Sequence, residues 1–276
     1  MLSKTCVYDI SVPECWRLSE EYGDDERILA CSCVENPDGE WFLELIHESL
    51  VDLSGLFGEK YRYETCELPE QDWLQVSYQG FQPMNVGRFC IFGSHLTGAS
   101  SEIDAIRSIC IELDAATAFG TGEHATTHMC LEAIWKYLPG YPSTKMLDLG
   151  CGAGLLAIAA AKIGCKNVYA YDNDEEAVRV CNQNATRNRV MVCVAQNMAH
   201  EYSQRQYDLV AANILEDAVM DMADHIFASV KNNGILILSG FFSEHNVLRY
   251  YQSKFSFTVV ECMHRKGWSA LVLRKL

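Results

Sequence analysis

The sequence predicts an α/β protein: a mostly parallel, seven-stranded sheet with helices on both faces, preceded by a small α+β unit. Three observations carry this. From residue 146 onward, strand-length apolar runs alternate with helix-length segments, the pattern of a parallel sheet whose crossovers are helices. The first of these strands runs into LDLGCGAG at 147–154, a glycine-rich turn that opens a helix. The last two runs, FSFTVVECMH and WSALVLRK, are joined only by Arg265-Lys266-Gly267. No helix fits between them, so the last strand is expected to be antiparallel to its neighbour.

Taken in order, CVYDISV (6–12) alternates as a strand, and ECWRLSEEYG (14–23) reads as a short helix closed by Gly23. RILACSCVE (27–35) and EWFLELIHE (40–48) are strands joined by Asn36-Pro37-Asp38-Gly39, a hairpin signal because Gly tolerates φ > 0. SLVDLSGLFG (49–58) reads as a second helix, and KYRYETCEL (60–68) as a strand. This β-α-β-β-α-β order is that of a ferredoxin-like unit. The expected divisions are 1–65 for that unit, 66–80 for a polar linker helix and 81–276 for the larger domain. FQPMNVGRFCIFG (81–93) and SICIELDA (108–115) supply further strands around a Ser/Gly/Thr-rich loop. Then KMLDLG, NVYAYD, VMVCVA (190–195), YDLVAANI and GILILSG are strands. The helices between them are GLLAIAAAKIG, DEEAVRVCNQNATRN with an acidic start, and segments centred on 216–230 and 243–254.

Composition narrows the function. The chain of 276 residues is 49% hydrophobic and 21% charged, ordinary for a core-forming protein. It has no apolar run of about 18 residues, so no membrane span is expected. Its start, MLSKTCVYDISVPECW, lacks a basic stretch followed by an apolar one, so a cytoplasmic location is expected. Thirteen cysteines include a lone CxC at Cys31 and Cys33 and no CxxC, which points to reduced thiols and no metal site. The formal charge is 22 − 37 = −15. Such a surface repels phosphates, so no direct nucleic-acid binding is expected. Solubility alone or attraction of a lysine-rich polypeptide would both account for it.

Gly150, Gly152 and Gly154 fall at i, i+2 and i+4 of a strand-to-helix turn, where a doubly wound sheet binds ligands. A dinucleotide fingerprint needs glycine at i+5, and Leu155 stands there. The next strand ends at Asp172, about twenty residues past the glycines, where a carboxylate can accept hydrogen bonds from two ribose hydroxyls. The pair points to a ribose-bearing cofactor other than NAD. Tight helix-on-strand packing is the alternative use of such glycines.

This arrangement resembles the class I S-adenosylmethionine-dependent methyltransferases, whose sheet also ends in an antiparallel strand. The resemblance implies that Asp148 and Gly150, with Gly152 and Gly154, lie by the methionine part of the cofactor, that Asp172 holds the ribose, and that Asn197 lies near adenine. It also implies that the end of the fourth strand, at Asn213, borders the cofactor and faces the methyl acceptor. The Asn213 side-chain carbonyl and the following backbone carbonyl at Ile214 can accept hydrogen bonds from an attacking amine and aim its lone pair along the S–CH3 axis. Capping of the next helix is the alternative role for Asn213.

Asn213-Ile214-Leu215, together with AFGTGEHATT at 118–127, is more specific. These motifs, the stretch DWLQVSYQGFQPMNVG and Trp268 resemble the ribosomal protein L-eleven methyltransferase family (PrmA). The likeness covers residues from about 66 to 276 by motif and the first 65 by architecture. It implies a protein N-methyltransferase acting on lysine and/or N-terminal amines of a basic partner, the large-subunit ribosomal protein at the stalk base. It also implies a ferredoxin-like domain that recognises this substrate and a linker that lets the domain swing; a monomer is expected. The 118–127 segment would close over the methionine end of the cofactor. Gly120 and Gly122 permit a tight backbone, Thr121 offers a hydroxyl, Phe119 an apolar wall, and the helix-start amides can meet a carboxylate. His124, Thr126 and Thr127 would be first-turn polar contacts, and the two threonines could equally be helix caps. The chain departs from the family pattern at Ala115-Ala116, where Pro-Gly is usual, at Glu123, where Thr or His is usual, and at Ala125, where Pro is usual. Three rivals remain: a methyltransferase with another substrate, a ribosome-binding factor without catalysis, and an NAD-dependent oxidoreductase.

Overall fold

A computed structural model of the chain describes residues 2–23, 25, 27–36, 39–57, 60–68, 84–93, 109–113, 125–196 and 206–276. The chain divides into two compact units, Met1–Val76 and Ser77–Leu276.

The first unit contains β1 (Leu2–Tyr8), α1 (Val12–Gly23), β2 (Ile28–Glu35), β3 (Trp41–Glu48), α2 (Ser54–Phe57) and β4 (Arg62–Leu68). Its four strands lie in the order β2-β3-β1-β4 with every neighbour antiparallel, the ferredoxin-like arrangement. The first strand lies earlier than the expected 6–12. Ser3 and Thr5 are polar yet buried, because Ser3 bonds the Ser49 hydroxyl and Thr5 bonds Thr65 and the His47 ring. Asp9, at φ 59°, ends the strand. The expected helix at 49–58 is also corrected. A turn in which Val51 N donates to Glu48 O occupies its start, leaving only the four residues of α2. Strand β4 continues past residue 65 to Leu68. Val7, Leu18, Leu43, Leu45 and Phe57 form the core.

In the second unit β5 (Met84–Val86), β6 (Phe89–Gly93) and β7 (Ile109–Leu113) make a separate three-stranded sheet. The single run expected at 81–93 is thus a hairpin, broken at Gly87 and Arg88. Next come α3 (Ala125–Tyr137), β8 (Lys145–Leu149), α4 (Leu155–Lys162), β9 (Asn167–Asp172), α5 (Glu175–Arg187), β10 (Cys193–Gln196) and β11 (Tyr207–Asn213). They are followed by α6 (Glu216–Asp221), α7 (Ala223–Ser229), β12 (Val230–Phe241), α8 (Glu244–Lys254), β13 (Phe257–Arg265) and β14 (Trp268–Lys275). The helix centred on 216–230 is two helices, parted at Met222, and β10 begins later than residue 190 because Val190 N is taken by the Ala185 carbonyl at the end of α5.

The seven strands run β10-β9-β8-β11-β12-β14-β13. The pairs from β10 through β12 are parallel, and β14 is antiparallel to both its neighbours. Each face of the sheet carries its own core. Ile134, Leu156, Ile158 and Ile237 belong to one, and Val219, Ile226, Phe227 and Tyr251 to the other. The wholly apolar start of α4 is buried all round, worth about 1.5–3 kcal/mol for each of Leu155, Leu156 and Ile158. Helix α5 starts where Asp174 accepts from Glu176 N at 2.9 Å.

Asn188, at the end of α5, fastens β7 of the small sheet to that helix. Its Oδ1 accepts from Glu112 N at 3.0 Å, and its Nδ2 donates to the Glu112 and Asn184 carbonyls at 2.6 and 2.8 Å. Asn188→Ala is expected to destabilise the protein by about 2–3 kcal/mol, since it strands buried backbone groups of β7. Denaturant unfolding checks this.

Candidate functional site

Strand order reverses at β8, with β9 and β10 on one side and β11 onward on the other. Open α/β sheets bind ligands in the crevice at such a switch point, outside the carboxyl ends of the strands. The register puts Leu149 beside both Tyr171 and Ala212. The residues that follow these three, in the glycine turn, at Asp172 and at Asn213, therefore gather at one edge of the sheet.

The glycine turn takes φ values of 67° at Gly150, 50° at Gly152 and 83° at Gly154, a region that side chains rarely adopt. It is fastened to β9. The Tyr171 carbonyl accepts from Gly150 N at 2.8 Å and Cys151 N at 3.1 Å. Asp172 Oδ2 accepts from Gly152 N at 2.8 Å, and its Oδ1 accepts from Asp174 N at 3.1 Å. Each oxygen of this half-buried carboxylate keeps further lone-pair capacity for a hydroxyl. At Gly150 a Cβ would stand 2.2 Å from Ile214 Cγ2, so the turns after β8 and β11 pack directly on one another.

Asp148 is 1% exposed. Its Oδ2 accepts from Ala157 N at 3.0 Å, and its Oδ1 has no hydrogen-bond partner among the described residues. Burial drives its pKa up to about 7, against the Ala157 bond and with the help of the Asp172 charge. A buried acceptor in this condition fits a ligand that brings an amino group.

Asn213 is half-buried at the end of β11. Its Nδ2 lies 3.5 Å from Thr127 Oγ1 in the first turn of α3, which turns Oδ1 the other way. Thr126 and Thr127 are both 3% exposed. Ile214 N donates to Ser239 O at 3.1 Å, tying the turn to β12.

A glycine turn on β8, a carboxylate ending β9 and an asparagine ending β11 are now at one edge, and comparison with known proteins says which family builds them. The profile of the family described as Ribosomal protein L11 methyltransferase (PrmA) matches residues 16–276. The chain belongs to this family. A Brucella suis protein named ribosomal protein L11 methyltransferase is 35% identical over 264 residues, 92% of this chain and 87% of that protein. A Staphylococcus saprophyticus protein of the same name is 34% identical over 240 residues, 85% of this chain and 75% of that one. The crystal structure of a ribosomal protein L11 methylase from Lactobacillus delbrueckii subsp. bulgaricus superposes with TM-score 0.63 at 25% identity, covering 71% of this chain and all of that one.

In this PrmA-family methyltransferase, Asp148, Gly150, Gly152, Gly154, Asp172, Asn213, Ile214, Thr126 and Thr127 are brought to the carboxyl edge of the sheet by β8, β9, β11 and the start of α3. Ala115, Ala116, Phe119, Thr121, Gly122, Glu123, His124 and Asn197 lie outside the described residues. Among the described residues no cluster of three or more His, Cys, Asp or Glu is arranged to hold a metal ion, and no helix is long and apolar enough to cross a membrane. All thirteen cysteines are free thiols. Sequence reasoning missed Gly240, whose only signal was a Ser-Gly pair closing the run ILILSG.

Proposed function

We propose that this methyltransferase uses S-adenosylmethionine to methylate lysine side-chain amines, the N-terminal α-amine, or both, of the large-subunit ribosomal protein at the stalk base. One observation carries the reading: the Asn213–Ile214 turn, which offers two carbonyl acceptors, packs on the glycine turn at Gly150. An acceptor-positioning group thus abuts the backbone cradle of the cofactor. The orphan Oδ1 of Asp148 fits the amino-acid end of such a cofactor.

When bound, the cofactor supplies a sulfonium-activated methyl group: the S–CH3 bond breaks as N–CH3 forms, the electron pair returns to sulfur, and S-adenosylhomocysteine leaves. The chain's residues position the partners. Asp172 would accept from the ribose hydroxyls and Asp148 from the amino group, and the family resemblance would give Asn197 to the adenine. By the family resemblance, Phe119, Thr121, Gly122 and Thr126 would serve the methionine end. Asn213 Oδ1 and the Ile214 carbonyl accept the N–H groups of the incoming amine. Asn213 has no basic atom, so the amine loses its proton to water before transfer. A lysine, with a solution pKa near 10.4, is then a poorer acceptor at neutral pH than an α-amine near 7.7–8.0.

The unit at 1–65 recognises the ribosomal protein. The formal charge of −15 favours a basic polypeptide over a nucleic acid. The enzyme acts as a monomer in the cytoplasm.

Isothermal titration calorimetry tests the cofactor assignment. Saturable one-site binding of S-adenosylmethionine is expected, weakened at least about tenfold in Asp172→Ala by loss of charge-assisted hydrogen bonds. Preferential binding of NAD, or unchanged affinity in the variant, contradicts it.

A further inference from the structure

Ile214 sits between two glycines. On one side Gly150 leaves room for its side chain; on the other, Gly240 leaves room for its backbone. Gly240 has φ 105°, and a Cβ there would lie 1.9 Å from Ile214 O, 2.6 Å from Ile214 C and 3.1 Å from Ile214 N. The glycine forms a bulge: Ser239 pairs with Ala270 and Phe241 with Ser269, and the register shifts between Ser239 and Phe241. Buried hydroxyls fasten the bulge. Ser239 Oγ donates to the Ser269 carbonyl at 2.9 Å, and Ser269 Oγ donates to the Phe242 carbonyl at 3.0 Å. The Ser239 carbonyl is held from the other direction as well, accepting from Ile214 N at 3.1 Å.

We infer that Gly240 is a positioning residue for methyl transfer: its bare Cα, held in the β12 bulge, fixes where the Ile214 carbonyl meets the acceptor amine. The inference rests on the reading of Asn213 and Ile214 as the amine's acceptors. Cβ contacts under 3.0 Å are essentially never seen, so a side chain at 240 needs 3.0 − 1.9 = 1.1 Å more separation between the β12 bulge and the Ile214 carbonyl. Misplacement by about 1 Å costs about a hundredfold in rate when catalysis is positional. The cofactor's contacts are on other elements, so its affinity should hardly change.

The clash at Gly240 is with backbone, whereas that at Gly150 is with a side chain. This asymmetry gives the test. Transfer kinetics and cofactor Kd are measured for Gly240→Ala and Gly150→Ala, each alone and combined with Ile214→Ala. Gly240→Ala is expected to lose about a hundredfold in kcat with cofactor Kd within about threefold, and Ile214→Ala should not restore it. Ile214→Ala should partly restore Gly150→Ala, because it removes the colliding Cγ2. A kcat near wild type in Gly240→Ala, or its rescue by Ile214→Ala, overturns the inference. If Gly240→Ala does not fold, Ser269→Ala loosens the same bulge. Loss of about tenfold in kcat at unchanged cofactor Kd then supports the role, and unchanged kcat overturns it. Asn213→Ala separates the two levels. Full transfer by that variant refutes the acceptor reading itself, whereas its loss beside an unimpaired Gly240→Ala refutes only the role of Gly240.

Discussion

Asn213→Ala is expected to lower kcat for methyl transfer at least about a hundredfold while cofactor Kd stays near its wild-type value. The side chain gives the amine an acceptor at the end of β11 and makes none of the contacts assigned to the cofactor's ribose or amino group. Its amide is oriented by Thr127, at 3.5 Å, so truncation removes a placed group. The split between kcat and Kd distinguishes this from general damage, which would lower both. Stopped single-turnover assays beside calorimetric titration make the measurement, and an unimpaired variant would refute the positioning role.

The second large effect concerns pH and Asp148. Its native pKa stands near 7, above the ordinary 3.8, because burial strips water from the carboxylate. A raised carboxyl pKa means the native state binds a proton that the unfolded chain releases. The resulting stability is present in full below about pH 4 and is lost as pH rises towards about 7. Between pH 5 and 7 the unfolding free energy of the cofactor-free protein, measured against Asp148→Asn, should fall by up to about 1.4 kcal/mol per pH unit, with the slope halving near pH 7 and levelling off above it. Cofactor binding should show the opposite trend. An amino group that pairs with the ionised carboxylate lowers its pKa, so binding expels the proton. Affinity should then weaken up to about tenfold per unit as pH falls below 7, and stay flat in Asp148→Asn. A wild-type Kd independent of pH from 6 to 8 would sink this assignment.

What could be read from the sequence was whatever depends on local rules. The Gly150–Gly154 turn, Asp172 and the tail hairpin each rest on residue types at fixed short offsets, and the structure brings the first two to one edge. The alternation of strands and helices likewise follows from burial on both faces of a parallel sheet. What stayed hidden depends on partners distant in the chain. Ser3 and Thr5 look unsuited to a core strand until His47, Ser49 and Thr65 satisfy their hydroxyls. Asn188 reads as the end of a helix, and only the fold makes it the clasp of β7. Gly240 closes an apolar run like many glycines, and its requirement comes from its φ of 105° in the bulge and from the Ile214 peptide packed against it. The helix expected at 49–58 shrank because local propensity lost to the turn that ends β3.

Methylation of the ribosomal protein is tested most directly by intact-mass spectrometry of the unmodified stalk-base protein after incubation with the purified enzyme and S-adenosylmethionine, with ribosomal RNA as a parallel substrate. Mass gains in whole-methyl steps are expected on the protein and none on the RNA. No gain on the protein, or methyl groups entering the RNA instead, would contradict it.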